Sequence, residues 1–316
     1  MRSFGDQLRS RARVVDLVAV GAVPVVLLAL FQLPTSVKRG LVLDYTDPTL
    51  VTAYTAHFVH FSVPHLLVNI GSYVLIVPTA YALAVISREV PRFRVTFTTI
   101  LIGLPVALSA LNLALFRPRI GYGFSGLAMG LLALLALLFF DYLDSALTTA
   151  WCQRGDAPVV FFSEAMLISL VVQPRTRATL AIAAVTGLTA AVYAGVLVRR
   201  IYRRETTDVI QEWAKQPGFL ELGLVATLLL VGFPFLAFPS NPAGDGTILN
   251  IYTHLLGFAV TFIAAYAVPV TDGPEGGSGT VADDREPIPT TGSHSDPPTD
   301  AGEDPTAEDT SIESRT

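Results

Sequence analysis

Apolar residues gather along this chain into runs too long and too numerous for a soluble core. A helix that spans a bilayer needs about 20 mostly apolar residues. Eight stretches approach that length: residues 14–33, 62–86, 95–116, 124–143, 157–172, 178–198, 219–238 and 248–270. The fifth is the shortest and carries Glu164. The pattern predicts an all-α polytopic membrane protein with about eight transmembrane helices in residues 1–271. Beyond them the chain is rich in Asp, Glu, Thr, Ser, Gly and Pro without apolar periodicity. That composition predicts a disordered acidic tail over residues 272–316.

Composition agrees. Hydrophobic residues make up 52% of the 316 and charged residues only 15%, where a soluble domain carries about 25% charged. The first thirteen residues, MRSFGDQLRSRAR, are basic and precede an apolar run. The run is long and lacks a small-residue cleavage site, so it reads as a retained first helix. Cys152 is the only cysteine, which excludes an internal disulfide.

Basic residues in short loops set orientation. With eight spans, one set of loops and termini holds thirteen Lys and Arg and the alternate set holds six. This predicts a multi-pass plasma-membrane protein with both termini cytoplasmic. Residues 34–61, 117–123 and 239–247 then lie outside, each leading into a helix that runs inward.

Polar groups inside a membrane are costly and mark functional sites. Three clusters lie near those helix starts. The first is HFVHFSVPHLLVN, with His57, His60, His65 and Asn69. Ser62 and Pro64 suit a helix start, so His65 and Asn69 share a face. The second is GYGFSGLAMG. Gly121 and Gly123 permit a tight turn and put Ser125 at a helix N-terminus, where free N–H groups favour an oxyanion. Gly126 and Gly130 form a small face for close helix packing. In the third cluster Asn250, His254 and Gly257 share a face of the last helix, fit to pack on that glycine face.

The chemistry that suits these groups is acyl transfer. A serine hydroxyl needs a base within hydrogen-bond reach, and histidine is the natural one. Oxyanion donors are available in Asn69, His60 and the Ser125 backbone N–H. No Asp or Glu stands near His254 in the sequence, which predicts a dyad, not a triad. His57, His60 and His65 could also suggest a metal site, but no carboxylate or cysteine joins them at ligand spacing.

The three segments resemble the signatures of the rhomboid family of intramembrane serine proteases. The matching residues are His60, His65 and Asn69; Gly123-Phe124-Ser125-Gly126; and His254-Leu255-Leu256-Gly257. The resemblance covers residues 1–140 and 245–270. It implies a rhomboid-like helical bundle in which Ser125 attacks a peptide bond in or near a substrate's transmembrane segment. His254 would be the base, His60 and Asn69 would attend the oxyanion, and His65 would be mainly structural. Transmembrane proteins are the implied substrates and the lipid bilayer the surroundings, with no nucleic acid, metal or cofactor. The chain departs from the family in having three expected helices, not one, between the serine and histidine helices. Thr52 stands near the place of the family's Trp-Arg pair. Met129 replaces a tyrosine, and Leu249 and Thr253 replace small residues before the base. A rhomboid-like protein that binds clients without cutting them is an alternative. A small-solute transporter, suggested by Glu164, Asn112 and Asn250, is another.

Overall fold

The helix that begins at Ser125, α8 (Ser125–Ala146), is apolar on every side. Such a helix must be surrounded, and 83% of its span is buried, against 11% for the helix Arg177–Tyr202. The computed structural model describes residues 3–114, 120–146, 153–171, 176–202, 217–237, 243–244, 247–248 and 250–267. The helices before α8 are α1 (Phe4–Arg11), α2 (Val14–Phe31), α3 (Thr35–Arg39), α4 (Leu50–Thr55), α5 (Val63–Ser87), α6 (Val90–Ile102) and α7 (Leu104–Leu113). Those after it are α9 (Pro158–Val171), α10 (Arg177–Tyr202), α11 (Phe219–Ala237) and α12 (Ile251–Ala267). The acidic tail, Cys152 and Leu249 lie outside the described residues.

The described chain is mainly helical. Five helices, α2, α5, α8, α10 and α11, are long and apolar enough to cross a membrane. The bent pair α6–α7 makes a sixth if taken as one span. The helices α9 and α12 have 14 and 17 described residues and fall short of that length.

One expectation is corrected here. Residues 95–116 do not form one straight helix: the helix starts earlier, at Val90, and bends by 44° between α6 and α7. Pro105 lacks the N–H that would continue the ladder, and its ring crowds the preceding turn. Gly103, at the joint, absorbs the change of direction.

The packing around α8 is close because small residues line it. A Cβ on Gly257 of α12 would lie 2.0 Å from the Gly126 carbonyl oxygen. A Cβ on Gly126 would lie 2.7 Å from Thr253 Cγ2, and one on Gly130 2.8 Å from Thr261 Oγ1. On its other side α8 packs on α5.

Polar bonds tie the two ends of the bundle separately. At one end Arg94 holds Asp16 at 2.7 Å, Arg92 holds Asp141 at 2.7 Å and Arg200 holds Asp156 at 2.7 Å. Arg154 donates to the Ala265 carbonyl there, and Tyr142 to that of Phe219 at 2.7 Å. At the opposite end, residues 34–61 fold into α3, α4, a 3-10 turn at Ala56–Phe58 and the short strand β1 (Leu43–Asp44). The strand pairs antiparallel with β2 (Ile120–Gly121), Leu43 opposite Gly121. A second short pair, β3 (Ala243–Gly244) with β4 (Thr247–Ile248), precedes α12.

The Gly126–Gly257 contact yields a test. Overpacked sites cost typically about 1–3 kcal/mol, and Gly257→Ala meets a backbone oxygen that cannot rotate away. Thermal unfolding in detergent should show it clearly destabilised. Gly232→Ala should unfold near wild type, since nothing lies within 4 Å of its Cβ position. Equal melting of the two variants would overturn the close-contact account.

Candidate active site

The segment before Ser125 is held by the loop of residues 34–61, called below the outer-end loop after the orientation expected from the basic residues. The Gly123 N–H donates to the Ala56 carbonyl at 2.9 Å. Gly123 has φ +111°, a conformation that glycine adopts without strain. Its missing side chain also makes room for His65, whose Cε1 would lie 2.7 Å from a Cβ there. Phe124 is fully buried and packs against Phe58 and Tyr73, each with ring centroids 6.0 Å away. Ser125 is then the first residue of α8 and half-buried. Backbone N–H groups of a helix's first turn have no partner within the helix, so the Ser125 N–H is open to an acceptor from outside α8.

His254 enters from α12, buried in its first turn. Its Nδ1 lies 2.8 Å from the Ala237 carbonyl oxygen at the end of α11. A carbonyl only accepts, so Nδ1 carries the proton and Nε2 is the lone-pair nitrogen. That is the tautomer a base needs, set here by a backbone carbonyl in the place a carboxylate takes in a triad. Ser125 precedes Gly126, and His254 stands one turn before Gly257. The glycine contact therefore brings both helix starts together. Among the described residues the Ser125 hydroxyl makes no hydrogen bond, to His254 or to any other group. Catalytic hydrogen bonds in unliganded sites are often long and tighten with substrate.

The structure gathers His60, His65, Asn69 and Gly123 around one point. The His60 and His65 rings are 4.8 Å apart, edge to face. The Asn69 amide nitrogen donates to the His65 carbonyl at 3.0 Å and lies 2.9 Å from His60 Nε2. The carbonyl fixes the orientation of the amide, so His60 Nε2 accepts. His60 Nδ1 then donates to the Phe58 carbonyl at 3.3 Å. His60 and Asn69 thus satisfy each other, and the Asn69 amide could donate to another group only by giving up His60.

Further polar groups support this layer. Lys38 is buried, donates to the carbonyls of Phe31 at 3.1 Å and His60 at 3.2 Å, and faces the Phe31 and Phe61 rings. His57 is bonded to Ser109 of α7 at 3.1 Å, and Ser109 donates to the Ala53 carbonyl at 2.6 Å. Asn112, also on α7, accepts from Asn250 at 2.8 Å and from the Thr253 hydroxyl at 2.9 Å. In the sequence Asn112 figures only among the residues that suggest a transporter. Its link to α12 has no local sequence signal, since its partners lie far down the chain. Glu164 is buried on α9, and its Oε2 has no partner among the described residues. Among the described residues no three His, Cys, Asp or Glu side chains are grouped as metal ligands.

No protein-family model matches the chain, and neither any curated protein nor any solved structure matches it significantly. A functional reading therefore stands on the site's own chemistry.

Two histidines of the outer-end loop predict a pH response. Burial pushes His57 down to about 4, opposed by a bond to the Pro105 carbonyl. Burial, with the neighbouring His65, pushes His60 down to about 4. Unfolding returns both toward the ordinary value of about 6.5. Between these values the unfolded chain binds more protons, so this stability is complete above about pH 6.5 and is lost as pH falls toward 4. Thermal unfolding from pH 7.5 to 4.5 should show melting falling with pH, with a shallower fall in His57→Gln. Parallel profiles for the two proteins would refute the assignment to His57.

Proposed function

We propose that this chain is an intramembrane serine endopeptidase of the rhomboid type, cleaving peptide bonds in or near the transmembrane segments of membrane-protein substrates. The observation that carries the reading is the close approach of Gly126 to Gly257 and Thr253, because these two residues flank His254 and so set it beside the start of the serine helix. The His254 tautomer supports it further, leaving Nε2 as the basic nitrogen.

In this mechanism a substrate helix enters from the bilayer and unwinds locally beside Ser125. The Ser125 oxygen attacks the scissile carbonyl carbon as its proton passes to His254 Nε2. The Ser125 backbone N–H and the Asn69 amide hold the developing oxyanion. His254 returns the proton to the leaving amine as the C–N bond breaks, giving an acyl-enzyme. Water, deprotonated by His254, then hydrolyses the ester and frees Ser125. The Ala237 carbonyl stabilises the imidazolium that forms at each proton transfer. The bundle end that carries Arg92, Arg94, Arg154 and Arg200 would face the cytoplasm, by the bias of basic loops. The site then opens toward the opposite face of the plasma membrane.

A second reading is a rhomboid-like protein that binds membrane clients without hydrolysing them. The unbonded Ser125 hydroxyl and the closed His60–Asn69 pair favour it.

Activity-based labelling separates the two. A fluorophosphonate probe should label the purified protein and should fail on Ser125→Ala. His254→Ala should slow labelling by about 10²–10⁴-fold, the usual contribution of a general base. Cleavage of a fluorescent transmembrane peptide should follow the same order. Equal labelling of wild type and Ser125→Ala would end the protease reading. Peptide binding without labelling or cleavage would establish the client-binding one.

A further inference from the structure

The polar residues of α7 lie on one side of a short helix and reach two different elements. Ser109 is bonded to the outer-end loop, through the Ala53 carbonyl and His57. Asn112, three residues on, is 5% exposed and reaches the base helix. Its Oδ1 accepts two bonds, from Asn250 Nδ2 at 2.8 Å and Thr253 Oγ1 at 2.9 Å. Its own amide nitrogen donates to the Leu108 carbonyl at 2.7 Å, which fixes which end of the amide faces α12.

Both partners of Asn112 shape the first turn of α12. Asn250 stands just before the helix, and its side-chain oxygen accepts from the Thr253 N–H at 3.2 Å, as an N-cap does. The Asn250 carbonyl accepts from the His254 N–H at 3.3 Å. Thr253 adjoins His254, and its methyl group fills the notch left by Gly126. One buried oxygen therefore holds the residue that caps the base helix and the residue beside the base. Burial makes that oxygen hard to replace, because its loss removes two buried hydrogen bonds at once.

We propose that Asn112 is a positioning residue for His254, and that α7 is a bracket joining the outer-end loop to the base helix. This rests on the protease reading above. Asn112 touches neither Ser125 nor a substrate in this arrangement; it acts by fixing the first turn of α12. A displacement of about 1 Å at a catalytic group can cost on the order of 10²-fold in rate, so a loose first turn is enough to slow chemistry. The bend at Gly103 matters for the same reason, since it swings α7 to where Ser109 and Asn112 meet these two partners.

The test uses the full-length protein in detergent and measures the saturating rate of fluorophosphonate labelling separately from the probe concentration at half-saturation. Asn112→Ala should lower the saturating rate at least tenfold with little change in half-saturation. Asn112→Asp keeps an oxygen for both donors and should recover most of that rate, whereas Asn112→Leu, of similar size, should not. Thr253→Val should slow labelling where Asn112 is present and be nearly silent in the Asn112→Ala background, since both changes remove the Thr253–Asn112 bond. Labelled fraction and melting temperature are recorded for each variant, so that loss of folded protein is separated from loss of rate per folded molecule. Asn112→Ala labelling at the wild-type rate per folded molecule overturns the proposal. So does Asp recovering no more than Leu, which would leave Asn112 with packing alone. Wild type that is not labelled in a Ser125-dependent way overturns the protease reading instead.

Discussion

The contact on which the rest of the structure depends is that of Gly257 with the backbone of Gly126. Two helices come so close there that a single methyl group would overlap a carbonyl oxygen. In a bilayer the lipid tails are as apolar as the side chains, so helices gain little by hiding leucine from lipid. Small residues that let backbones approach provide the dispersion contacts instead. In this chain the same approach also brings together the first turns of two helices, one carrying a serine and the other a histidine. Thr253 fits the remaining notch, and Gly130 extends the close face another turn toward Thr261 and Leu104.

Around that contact the polar groups form two bonded layers with different tasks. The end rich in arginine is held by ion pairs between helix ends, each carboxylate buried and each matched to a guanidinium. The other end is held by bonds between neutral groups and backbone carbonyls: His57 with Ser109, Asn69 with His65, His254 with Ala237. Lys38 is the exception, a buried cation held by two carbonyls and two aromatic faces. Neutral groups in a dry site hold definite tautomers, because a carbonyl can only accept. The protonation of His60 and His254 thus follows from backbone geometry.

The apolar runs made the long helices legible, because span length and composition are local properties. The glycines near Ser125 signalled a tight turn into a helix, and Gly123 takes the backbone conformation that only glycine adopts freely. The bend between α6 and α7 was written in Gly103 and Pro105, yet a continuous apolar run concealed it. Hydropathy does not distinguish a straight span from a broken one. The role of Asn112 was illegible for another reason. Its partners Asn250 and Thr253 are far away in sequence, and only the finished packing of α7 on α12 makes them neighbours. The mutual bond of His60 and Asn69 was hidden in the same way. Spacing placed both at the head of α5, but how the preceding loop folds back decides whether they face a substrate or each other.

The helices between Ser125 and His254 set the direction in which α12 runs. The Arg200–Asp156 bond joins the end of α10 to the start of α9, so this hairpin returns the chain to the bundle end it left. Arg154 at its root is bonded to the end of α12, and Tyr142 near the end of α8 to the start of α11. A hairpin added at one end leaves the direction of every later helix unchanged. Helix α12 therefore still begins at the end where α8 begins, and His254 meets the serine helix at its first turn. The hairpin's own attachments explain why it disturbs so little. The helices α9 and α10 pack mainly on each other, through Phe162 on Tyr193 and Met166 against Gly187. They reach α12 through the rings of Phe161, Phe258 and Phe262. Those contacts lie one to two turns beyond His254, so the α9–α10 hairpin braces α12 without entering the glycine seam.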